Sequence, residues 1–246
     1  MISSYFSNEE ALVTREFEAV FKEKVHIFNL QVAFLEKLLH KIGEDKLVRS
    51  DDGSKYAISL LASIGLKSFV SSLDRLSKGY MGDSESLLKR PIEGLIIQSY
   101  FLKNPEKAKE YIFHNKEIRK FGDRASMSKI IDESNIEMSI FPTDEGEFFQ
   151  KYVYEVLYAN CNKVAHMNFE MVHQEIGLDN DNPTQLATNL VIGPKFDKNF
   201  MRVSLNRIMM TLMYQISFVS KVFDYPINDG YNELFNLVTS SITKSE

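Results

Sequence analysis

The chain has 246 residues, 44% of them hydrophobic and 26% charged, enough for one domain with a substantial core. A formal net charge of −5 and a sequence pI of about 5.7 argue against an extended DNA track, which needs surplus Lys and Arg to displace counterions. The single cysteine, Cys161, rules out an intramolecular disulfide and a four-cysteine zinc site. Residues Met1 to Ser7 lack the basic stretch and apolar run of a signal peptide, and no apolar stretch approaches the roughly 20 residues that span a bilayer. The expectation is a cytoplasmic chain with no membrane partner.

With 11 Gly and 6 Pro, helix breakers are few and clustered, which favours long helices. Ser7-Asn-Glu-Glu10 reads as a capping box. Behind it Phe21, Val25, Phe28, Val32, Leu35 and Leu39 recur at spacings of four and three up to Gly43. This predicts a first helix of roughly 33 residues, roughly 50 Å long. A second helix is expected from Lys55 to Lys78, stopped by Gly79, and a third from Ser84 to Lys103. Asn104-Pro105 opens a fourth, running to about Phe121.

Arg124 to Thr143 reads as a short helix and a loop. Glu145 to Ala165 reads as a helix with Phe149, Tyr152, Val153, Val156, Leu157 and Val164 on one side. Residues 177–197 form a polar loop insertion, rich in turn residues, with a short extended piece at Leu190-Val-Ile. Asn199 to Phe223 is periodic through Met201, Leu205, Ile208, Leu212, Ile216, Val219 and Phe223, and a last helix follows Gly230. The fold expected is all-α, a single domain over 1–246, with about seven or eight helices.

Several motifs imitate known chemistry. Glu23/His26 and Glu170/His173 have the Glu-x-x-His spacing of di-iron bundles. In the first pair, however, Glu23 and His26 lie about 160° and 140° from the apolar stripe of their helix and should face water. Asp179-Asn-Asp-Asn-Pro begins like a calcium loop, but Thr184 and Leu190 stand where that loop needs Gly and Glu. Met201, Met209, Met210 and Met213 read as core filler. No cofactor or metal is expected.

Two segments carry polar residues in apolar surroundings. Pro91 to Leu102 is apolar on nearly every side, which marks a central helix. Glu93 is therefore expected in low dielectric, buried and paired with Arg90 three residues earlier. In Tyr158-Ala-Asn160-Cys-Asn162-Lys163-Val-Ala-His166, Asn160 interrupts the apolar stripe, while Asn162 and His166 share another face with Phe148 and Tyr152. A helix with two such faces is either central or part of a dimer seam, and a homodimer is expected.

The stretches Leu76-Ser-Lys-Gly79, Ser86-Leu-Leu-Lys-Arg90-Pro-Ile-Glu93 and Tyr100-Phe-Leu-Lys-Asn104-Pro105 resemble an uncharacterised bacterial helical family. That family has an Arg-x-x-Glu helix after a Gly-ended helix and a later Ser-x-x-x-His, a place taken here by Asn162-x-x-x-His166. Such domains are similar to the HEPN superfamily, whose active members are RNases marked by Arg, four to six residues, then His. Here Asn160 stands in the place of the motif arginine.

The resemblance implies a dimeric α-helical bundle with a link to toxin or phage-defence systems. An active site of this kind would cleave single-stranded RNA without metal. His166 would be the general acid or base, Arg90 or Lys163 would stabilise phosphorane charge, and Glu93 would orient a catalytic group. Three readings follow: a domain acting through protein contacts, an HEPN-type RNase using His166, and a bundle that binds a nucleotide or small molecule.

Overall fold

The structure, a computed structural model, describes residues 7–45, 53–113, 194–225 and 229–243. Among these residues every regular element is a helix: α1 (Ser7–Glu44), α2 (Gly53–Ser77), α3 (Met81–Lys103), α4 (Pro105–Phe113), α5 (Lys198–Val222) and α6 (Asp229–Thr243). The all-α reading therefore holds. The expected helix at Glu145–Ala165 and most of the polar loop at 177–197 lie outside the described residues.

Helix α1 runs 38 residues, longer than its periodicity predicts, and passes through Gly43 before ending at Glu44. It consists of two helical pieces joined at Phe21, whose φ of −112° and ψ of 17° leave the helical region. Its predicted stripe is the packed face: Phe21, Phe28 and Leu35 are buried, and Val25, Val32 and Leu39 are half-buried against them. Glu23 and His26 face solvent, as their angular positions require.

Gly79 ends α2 as expected, and the reason is conformational. Its φ is +86°, a region open to glycine at little cost. The amide of Gly79 donates to the carbonyl of Leu76, and that of Tyr80 to Arg75, the Schellman pattern. Space is short there too: a Cβ on Gly79 would fall 2.6 Å from the Lys195 nitrogen. At the other end of the bundle, Asp224 closes α5 in the same way with φ of 51°. The Tyr225 amide donates to Ser220 and the Asp224 amide to Lys221.

The Gly79 turn folds α3 back on α2, the most extensive pair among the described helices; α1, α4 and α5 also pack on α2, and α6 on α1 and α5. Helix α2 is long and apolar enough to cross a membrane by length and composition, with a mean hydropathy of 1.4 over 18 residues, 44% of them buried in the bundle. The sequence expectation of no such stretch is corrected here. Between Leu95 and Phe101 every residue of α3 is buried, so α3 is the central helix its composition predicts. Helix α5 supplies the opposite wall: Met201, Leu205, Ile208, Leu212, Ile216 and Val219 are all buried, as is Phe223 at its C-cap. The Asp197 side chain caps it by accepting from the Phe200 amide at 3.0 Å.

Candidate functional site

The described part of the expected site is the outward side of α3. Arg90 is exposed and Glu93 is half-buried. The Glu93 carboxylate pairs with Lys89 at 3.8 Å and not with Arg90. The expected buried Arg90–Glu93 pair is thus corrected. Ser86, Arg90 and Glu93 follow at spacings of four and three, a stripe of α3 on which Ser86 and Arg90 are exposed and Glu93 half-buried. The helix becomes buried all round one residue later, from Gly94 to Phe101. Asn160, Asn162, Lys163 and His166 lie outside the described residues, as do Phe148 and Tyr152.

The buried carboxylate of α3 is Glu85, only 1% exposed. Its Oε1 accepts from the Ser204 hydroxyl at 2.6 Å and from Arg207 Nη1 at 3.3 Å, both on α5. Its signal was legible in the sequence. Met81, Glu85, Leu88, Ile92 and Leu95 repeat at four and three, so Glu85 occupies a core position of an otherwise apolar stripe. Beside it, the Ser72 hydroxyl on α2 donates to the Ser84 carbonyl at 2.8 Å.

A second polar pair lies among the apolar side chains. Gln98 on α3 and Gln215 on α5 have no exposed surface. Each amide donates to the other's carbonyl, at 3.1 and 2.9 Å. Gln31 on α1, equally buried, donates to the Met209 carbonyl at 2.8 Å, while its own carbonyl oxygen finds no partner.

Lys24 anchors α1 to both C-terminal helices. Its ammonium donates to Asn206 Oδ1 at 2.9 Å and to the carbonyl of Ser241. Partial burial, reinforced by the charge of Arg202 and opposed by Glu23, lowers its pKa. At the start of α1, the Tyr80 hydroxyl donates to Glu10 Oε1 at 2.6 Å. That bond, with desolvation second, pushes the Tyr80 phenol up to about 12. Glu10, read as half of a capping box, thus also ties the start of α1 to the α2–α3 turn.

Among the described residues no group of three His, Cys, Asp or Glu side chains is placed to hold a metal ion. Two of the polar clusters buried there, Glu85 with Ser204 and Arg207 and Gln98 with Gln215, are matched across α3 and α5. A buried pair of this kind fixes which residue of one helix faces which of the next. No protein-family model, curated protein or solved structure matches the chain.

Proposed function

We propose that this chain is a helical interaction domain that works through protein contacts, in the cytoplasm and in a bacterial toxin or phage-defence setting. It is taken as an HEPN-like bundle of seven or eight helices. The observation that supports this reading is the outward face of α2, where Tyr56, Leu60 and Ile64 stand exposed in one row. Apolar surface aligned on one helix face is the usual substrate of association. Most of the buried polar side chains in the described bundle, by contrast, bond within it, to other side chains or to backbone carbonyls.

The second reading is a metal-free RNase using His166. The exposure of Arg90 on the outward stripe of α3 favours it, because a cation in solvent can reach a phosphate. The deciding experiment incubates purified protein with single-stranded RNA in EDTA, beside His166→Ala, with a thermal-shift screen against nucleotides. The protein-contact reading expects no cleavage and no stabilisation. Cleavage that His166→Ala abolishes overturns it in favour of the RNase, and a nucleotide-dependent rise in melting temperature overturns it in favour of a binding bundle.

A further inference from the structure

Nine large apolar side chains stand exposed among the described residues, and four of them are on α2: Tyr56, Leu60, Ile64 and Val70. Tyr56, Leu60 and Ile64 follow at four-residue intervals, and Lys67, also exposed, comes three residues later. At about 100° per residue these four fall within about 80° of one another, so they form a single ridge. It runs along the side of α2 away from its buried stripe of Ile58, Ala62, Phe69 and Leu76.

The order of chemistry along the ridge is aromatic, apolar, apolar, cation. Leu60 and Ile64 each lie two residues from Ala62, while Tyr56 and Lys67 lie six and five residues from it. The ridge read backwards is therefore complementary to the ridge read forwards. Laid antiparallel on itself, it sets apolar against apolar at the centre and an ammonium over an aromatic ring at both ends.

We infer that the α2 ridge seats a second copy of this chain, α2 against α2 in antiparallel, across a two-fold axis at the level of Ala62. This rests on the protein-contact reading and names its partner and surface. Leu60 packs on the partner's Ile64 and Ile64 on the partner's Leu60, removing both pairs from water. Lys67 lies over the ring of the partner's Tyr56, and symmetry makes the same contact again at the other end. Because the contact is isologous it closes on itself, giving a dimer and not a filament. An anionic lipid surface fits the ridge poorly, since the chain carries a net charge of −5 and the exposed Asp74 continues the same face.

Light scattering across a dilution series of the full chain tests this. Wild type should approach twice the 28.4 kDa chain mass as concentration rises, and Leu60→Asp should stay at the single-chain mass. Lys67→Glu should raise the dimer dissociation constant about tenfold, two exposed cation–ring contacts being lost together. Tyr56→Glu offers Lys67 a carboxylate in place of a ring and should hold the constant within about threefold of wild type. Circular dichroism checks each fold. If Leu60→Asp does not fold, the weakening by Lys67→Glu beside the near-wild-type constant of Tyr56→Glu decides alone.

A wild type that remains a monomer overturns the inference. So does a dimer that Leu60→Asp and Lys67→Glu both leave unchanged, which would place the seam on another face. Neither result touches the protein-contact reading, which fails on RNA cleavage or nucleotide binding and not on mass.

Discussion

Gln98 and Gln215 face each other across the α3–α5 interface with no exposed surface, and each amide donates to the other's carbonyl. Two hydrogen bonds in opposite directions satisfy one donor and one acceptor on each side chain, and they do so at one register of α3 against α5 only. An apolar pair would tolerate sliding; this pair does not.

Removing one member should therefore cost more than removing both. Gln215→Leu strands the Gln98 amide and should destabilise by about 1–3 kcal/mol, whereas Gln98→Leu combined with Gln215→Leu should recover most of that loss. Urea unfolding of the two singles and the double, analysed as a cycle, gives the coupling. Additive single and double costs would show that the two amides act independently.

Carboxylates on α3 separate by burial. Glu85 lies 1% exposed against Arg207 and Ser204, so Arg207→Ala leaves a buried charge short of its cation. A loss of about 3 kcal/mol is expected, at the lower end for such pairs because the Arg207 side chain keeps 19% exposure. Glu93, half-buried beside Lys89, should lose no more than about 1 kcal/mol on replacement by Ala. Chemical denaturation of both variants checks the order.

At Gly79, positive φ and crowding act together. Gly79→Ala must hold a side chain at φ +86° with its Cβ 2.6 Å from the Lys195 nitrogen. The expected loss is about 2 kcal/mol or more, since left-handed backbone alone costs roughly 1–2 kcal/mol per residue. A thermal midpoint equal to that of wild type would show that the turn relaxes without strain.

The Tyr80–Glu10 bond gives stability a defined alkaline limit. The folded phenol is pushed up to about 12 from 10.0, so the folded state holds its proton more tightly than the unfolded chain. Its contribution is fully present below pH 10 and is lost as pH rises towards 12. Tyr80→Phe should be less stable than wild type near neutrality, and the difference should shrink between pH 10 and 12. Lys24 acts with the opposite sign: its lowered folded pKa makes stability rise with pH up to its unfolded value of 10.5, where Lys24→Met should flatten the curve.

The helices themselves were written into the sequence. The spacing of four and three through Phe21, Phe28 and Leu35, and again from Met201 to Phe223, marks one apolar face per helix, and burial of that face follows from helical geometry alone. Gly79 was equally legible, because a helix end that needs positive φ selects glycine. The central position of α3 followed from the apolar residues on nearly every side of Pro91 to Leu102.

Which partner each buried polar residue meets was decided by the tertiary structure. Arg90 is exposed and Glu93 half-buried on one stripe of α3, and nothing local to α3 states where α5 lies. Once α5 packs, Glu85 meets Ser204 and Arg207, and Gln98 meets Gln215. Both pairings join residues more than 100 positions apart in the chain. Periodicity reports how one helix divides its surface between inside and outside. The partner across a buried hydrogen bond depends on the register between two helices, and only their packing sets that.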